Sequence, residues 1–171
     1  GWDVISVSGV AKKAGVSVGA IYARAENLSE LANMLWEIRL RTVIEEVLGL
    51  IAHACDSSSP ELILQASTFF DLNKSTISPA LELIIASQFD DELAEVIGID
   101  FTHLISKLTV PHTNSLAVRH QAASRYLALS FLFGRALAVS SGAVIEPLSR
   151  EEATVLAGFS RMKPEGKIEL I

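Results

Sequence analysis

Apolar positions recur at helical spacing along almost the whole chain. After Asn27, the positions Leu28, Leu31, Leu35, Ile38, Val43, Val47 and Ile51 follow one another at roughly the helical period. They predict a long helix ending near Ala54. Similar patterns predict helices over about 60–73, 79–89, 91–108 and 115–141, and a last one from Ser149 to Met162. No alternating apolar–polar run and no Asn-Gly hairpin signal interrupts them, so the fold class is all-α.

The breaks between patterns carry matching chemistry. Asn27 followed by Glu30, and Ser149 followed by Glu152, have the spacing of capping boxes, in which each side chain satisfies a free amide of the other's turn. "CDSSSP" and "TVPHTNS" are loops; proline lacks the amide that a helix interior needs. "SGAVIEP" ends the long helix before the last one, and the tail "KPEGKIELI" has no helical period.

The N-terminal stretch "VSGVAKKAGVSVGAIYARAENLSEL" compresses two short helices around one glycine. Ser6 or Ser8 caps the first, which runs to Ala14. Ser17 caps the second, which runs to about Ala25. Ala11 is small where two steeply crossing helices must approach. Gly15, four residues on, suits a turn that needs positive φ. Ile21, six further, supplies an apolar anchor, with Val10 and Val16 as flanking core positions. Small, glycine and apolar residues at these spacings, with caps on both helices, describe a helix-turn-helix.

These residues resemble the second, third and early fourth helices of the TetR family of one-component transcriptional regulators, over about Ile5 to Leu35. "VAKKAGVSVGAIY" is the specific part of the match. The resemblance implies an all-helical homodimer with an N-terminal DNA-binding domain, here 1–35, and a helical ligand-binding and dimerisation domain, here 36–171. It also implies a further helix before Gly1-Trp2-Asp3, so the chain reads as part of a longer protein. Ala25 stands where the family usually has an aromatic residue, and Leu28 where it usually has lysine. Arg24 holds a position often taken by histidine.

In a DNA-reading arrangement the second helix enters the major groove by its N-terminal half. Ser17, Val18, Gly19, Ala20 and Tyr22 then face the duplex. Lys12, Lys13 and Arg24 supply charge, and Ser17 and Tyr22 donate to phosphates. No Arg, Asn or Gln lies between Ser17 and Ala23 to make a bidentate base contact. Sequence preference then falls to Val18 or Ala20 against thymine methyls, or to DNA shape.

Composition sharpens this picture. The chain has 171 residues, 50% of them hydrophobic, and a formal net charge of −6. That balance excludes a general nucleic-acid sponge but not a small DNA-facing module. The first 48 residues hold five basic and six acidic side chains, so nonspecific affinity is expected to be weak and salt-sensitive. The single cysteine, Cys55, allows no internal disulfide and reads as a small residue at a helix end. No signal peptide and no charge-free run of membrane-spanning length is visible, which fits a cytoplasmic protein with no membrane partner.

No catalytic constellation, nucleotide loop or metal-ligand spacing occurs, so the chain is read as no enzyme, with no cofactor. His53, His103, His112 and His120 are scattered and read as non-ligands. A ligand pocket for a small apolar effector is drawn from Phe69, Phe70, Phe89, Phe101, Phe131 and Phe133, with His103, Asn73, Gln88, Ser106 and Arg135 as polar groups. Arg135 has three readings: it anchors a ligand carboxylate, pairs with an acid across a dimer, or snorkels to solvent.

The helix over 115–141 is apolar nearly all round between Tyr126 and Val139, so it needs cover on more than one side. Ser130, Gly134 and Ala138 form a small-residue stripe on it. Ala153, Leu156, Ala157 and Phe159 form a second small-plus-apolar face on the last helix. Together they suggest an intersubunit four-helix bundle. The function expected is a ligand-responsive transcriptional regulator, a repressor released from a double-stranded DNA operator by a small apolar molecule. The alternatives are a helical ligand-binding or dimerisation protein with a degenerate helix-turn-helix, or one half of a two-unit regulator.

Overall fold

The computed structural model describes residues 5–108 and 116–158. The described residues are helical with no strand among them, as the periodicity requires. The helices are α1 (Val7–Ala14), α2 (Val18–Tyr22), α3 (Leu28–Leu35), α4 (Arg41–Ser57), α5 (Pro60–Leu72), α6 (Lys74–Ala86), α7 (Asp91–Leu93), α8 (Ile99–Ser106), α9 (Leu116–Ser140) and α10 (Arg150–Gly158). A π-helical turn, Trp36–Leu40, joins α3 to α4, and a second, Ala94–Gly98, joins α7 to α8.

Two compact units are drawn from Gly1–Glu46 with Asn73–Ile105, and from Val47–Leu72 with Ser106–Ile171. The boundary expected at Leu35 falls inside the first unit. In that unit α1 packs on α2, α3 on α7, and α6 on both π turns. In the second, α5, α9 and α10 pack on one another.

The first π turn revises the face of the long helix. Its buried side chains are Ala32, Trp36, Leu40, Ile44, Val47 and Ile51, whereas Leu35 and Ile38 are exposed. A stripe at steps of four drifts by about 40° per turn around a 3.6-residue helix. The wider π turn takes up that drift and keeps Trp36 and Leu40 in the core. A strict helical period carried through this segment puts Ile38 on the wrong side.

Two further boundaries differ from expectation. Helix α6 begins at Lys74 rather than near Pro79, which lies inside it. The proline costs one intrahelical hydrogen bond there, and buried Ile77, Ala80, Leu81 and Leu83 around it supply the compensating packing. Helix α2 ends at Tyr22, short of Ala25. Phe159, the expected helix end at Met162 and the tail lie outside the described residues.

The capping predictions can be followed atom by atom. The Glu152 amide donates to Ser149 Oγ at 3.1 Å, and the Ser149 amide donates to Glu152 Oε2 at 2.8 Å. The backbone bond from Ser149 holds the Glu152 carboxyl below the usual carboxylate range. At α3 the Glu30 amide donates to Asn27 Oδ1 at 2.7 Å, while the Glu30 carboxylate reaches the Glu26 amide rather than that of Asn27.

Candidate nucleic-acid interface

Local hydrogen bonding shapes the α1–α2 pair. The Gly9 amide donates to Ser6 Oγ at 3.2 Å, so Ser6 is the cap, with Ser8 Oγ 3.2 Å from it. At the other end Gly15 takes the left-handed conformation, φ 68°, and the Val16 amide closes back on the Ala11 carbonyl at 3.1 Å. Lys12 and Lys13 occupy the last turn of α1, where the helix dipole favours cations. Ser17 then caps α2: its Oγ accepts from the Ala20 amide at 3.1 Å and keeps its own proton to donate.

Burial sorts the segment into two faces. Ala11, Ile21 and Ala25 are buried. Lys12, Lys13, Ser17, Val18, Gly19, Ala20, Tyr22 and Arg24 are all exposed. Val16, expected in the core, is exposed just after the glycine turn; Val10 is half-buried. Between Ser6 and Ala25 the chain carries Lys12, Lys13 and Arg24 and no acidic residue. The acidic residues that flank this stretch are Asp3 before it and Glu26 after it.

Ala25 is small and fully packed, at 3% exposure. Leu28 has a different reason to be apolar. With Val10, Leu31, Met34, Leu35 and Leu83 it lines an apolar groove of about 460 Å³ within the first unit. A lysine there would bury its stem against that wall.

The expected ligand pocket is not assembled as drawn. Phe89 is 88% exposed, in the turn after α6, and is no cavity wall. Phe70 is buried edge-on against Phe133, with ring centroids 5.5 Å apart, as a core pair of the second unit; Phe69 and Phe131 are half-buried there. Half-buried Phe101 belongs to the first unit, where exposed His103 lines a shallow cleft with Trp36, Arg41 and Asp100. In that cleft Asp100 Oδ2 accepts from Trp36 Nε1 at 2.9 Å and from Arg41 Nε at 2.8 Å. The bond to Asp100 raises the Arg41 pKa above its ordinary value.

Arg135 finds a partner within its own chain, at an exposed site. Its Nη2 donates to the Glu146 carbonyl at 2.7 Å, tying α9 to the loop before α10. Arg125, half-buried, forks onto Asp56 at 2.6 and 2.7 Å, and its Nη1 donates to the Leu108 carbonyl at 3.1 Å. Beside it Cys55 is fully buried, and burial pushes its thiol up to about 11. Such a thiol is a packing group, not a nucleophile.

The proposed dimer surface divides. Ala153, Leu156 and Ala157 are buried inside the chain, where α10 packs on α5 and α9, so that face is consumed within one subunit. Ser130 and Gly134 are exposed, Ala138 is half-buried, and Leu127 and Leu137 are partly open on either side of them. Residues Gln121–Ser140 of α9 are long and apolar enough to cross a membrane by length and composition, with 22% of that window buried. No three His, Cys, Asp or Glu side chains among the described residues converge as metal ligands. His53 and His103 are exposed; His112 and the His120 side chain lie outside the described residues.

No family model matches the chain, and no curated protein and no solved structure was found to be similar to it.

Proposed function

We propose that the chain is a TetR-like, ligand-responsive DNA-binding regulator, acting as a homodimeric repressor with α1–Gly15–α2 as its helix-turn-helix. The observation that supports this reading is the sorting of that segment. Its three small or apolar anchors are buried, and the eight residues proposed to meet DNA are exposed together on an acid-free stretch.

Lys12, Lys13 and Arg24 would neutralise phosphates, Ser17 and Tyr22 would donate to them, and Val18 and Ala20 would lie against base edges. With so few charges, affinity would fall with salt along a shallow slope. A dimer would present two copies of α2 roughly 34–36 Å apart.

The dimer would form through α9. Leu127, Ser130, Gly134 and Leu137 are spaced symmetrically about Leu132, which suits an antiparallel pairing across a two-fold axis. The pattern carries no charge. Arg125 and Arg135 of α9 are engaged by Asp56 and by the Glu146 carbonyl, which favours a protein-covered helix over a membrane-spanning one.

A small apolar effector would find about 460 Å³ in the groove beside α1, within the range that small ligands fill. Its wall includes Val10, so an occupant would bear directly on the DNA-facing pair. A mobility-shift titration with DNA from upstream of the gene tests the reading. The expected result is a sequence-dependent complex at low salt that weakens as salt rises. The absence of any such complex would sink it.

The second reading is a helical ligand-binding or dimerisation protein whose helix-turn-helix no longer reads DNA. Leu28, turned into the groove rather than outward, favours it.

A further inference from the structure

We propose that Glu92, together with Asp90, is a positioning residue for α2, acting through the N-terminus of α3. The inference rests on reading α1–α2 as the DNA-facing element and adds how that element is held.

The N-termini of α3 and α7 are bonded to each other by reciprocal use of their caps. Asn27 caps α3 with Oδ1 and donates from Nδ2 to Glu92 Oε2 at 2.9 Å. Asp90 caps α7 with Oδ1, which accepts from the Leu93 amide at 3.1 Å, and takes Ser29 Oγ on Oδ2 at 3.3 Å. One turn along α3, Asn33 Nδ2 donates to the Glu92 carbonyl at 3.4 Å. The Asn33 Oδ1 is buried with no hydrogen-bond partner.

This latch matters because α1, α2 and α3 themselves bury few side chains, with Ala25 the buried residue of the connector between α2 and α3. Helix α1 buries only Ala11, α2 only Ile21 and α3 only Ala32. Leu28, Leu31 and Leu35 face the groove instead of a filled core. Where few apolar contacts fix an element, individual hydrogen bonds decide its local opening. Residues 23–27 connect α2 to α3 and end at Asn27, the residue that Glu92 holds. Freeing Asn27 loosens the mount of α2 without touching α2 itself.

The experiment compares full-length Glu92→Ala with Asp91→Ala and Glu92→Gln. Asp91 and Glu92 share the first turn of α7, so both alanine variants remove one acid from one place. Amide hydrogen exchange over α2 and residues 23–27, without DNA, is the first readout. Glu92→Ala should exchange roughly three- to tenfold faster, the loss of about one net hydrogen bond. Asp91→Ala should match the parent, and Glu92→Gln, which keeps an acceptor oxygen, should restore most of the protection. Mobility shift is the second readout, with Glu92→Ala weaker by a similar factor. Equal exchange in the two alanine variants would overturn the proposal. Exchange that splits as expected in a chain that binds no DNA would support the latch and reject the DNA reading.

Discussion

Helices α2 and α9 are opposites in how the chain specifies them. Helix α2 spans Val18–Tyr22, buries one side chain and is fixed by its neighbours: a serine cap before it and a glycine turn before that. Helix α9 spans Leu116–Ser140, and its apolar side chains extend around it. An isolated five-residue helix is not stable in water, so α2 exists because its ends are satisfied and Ile21 is anchored. Helix α9 is held by packing of Ala128, Leu129 and Leu132, and its Tyr126, Leu127 and Leu137 are left open by the described residues. Local hydrogen bonding specifies where a short element sits. Apolar surplus specifies that a long one needs cover, without naming the cover.

The largest expected effect is in α9. Leu132 is 1% exposed, so Leu132→Ala should cost about 2–5 kcal/mol by lost burial plus a cavity, read by chemical denaturation. A loss under about 1 kcal/mol would mean that packing does not hold α9 more firmly than α2. The second test separates the two sides of the same helix. Gly134 is exposed, and a Cβ added there would meet nothing within 4 Å. Gly134→Leu should therefore leave subunit folding intact, or improve it by up to about 1 kcal/mol through helix propensity. It should also shift a dimer to monomer in sedimentation; an unchanged oligomer would remove α9 as the seam.

The smallest effect belongs to the turn before α2. Gly15 has φ 68° and open space around its missing Cβ, so Gly15→Ala introduces backbone strain and no clash. The expected loss is about 1 kcal/mol, visible as faster amide exchange across α1 and α2 with little change elsewhere. Uniform loosening of the chain would show that the turn is not a local device.

Much of the fold was legible because it is local. Ser6, Ser17, Asn27, Ser149 and Glu152 cap helices through atoms no more than a few residues away, and sequence spacing carries that information. Gly15, Ala11 and Ile21 were readable for the same reason. Ile38 and Leu35 were misplaced because a π turn changes the period without any residue type that announces it. The small face of α10 was assigned to a second subunit when α5 and α9 already cover it. A helix face records that it wants a partner, and only the tertiary fold records which chain supplies one. The phenylalanine cage failed similarly: Phe70 found Phe133, and Phe89 found solvent. The α3–α7 latch was beyond reach, since Asn27 and Glu92 stand 65 residues apart.

Trp36 has a consequence of an optical kind. Its indole is 0% exposed and its Nε1 is fixed on the Asp100 carboxylate, at the π turn where α3 passes into α4. An indole shielded from water and bonded to a fixed charge emits at a wavelength set by that geometry. With Trp2 replaced by phenylalanine, Trp36 would be the sole such fluorophore in the chain. Its emission would then report on the π turn that joins α3 to α4, so the molecule carries its own gauge of whether that turn is intact.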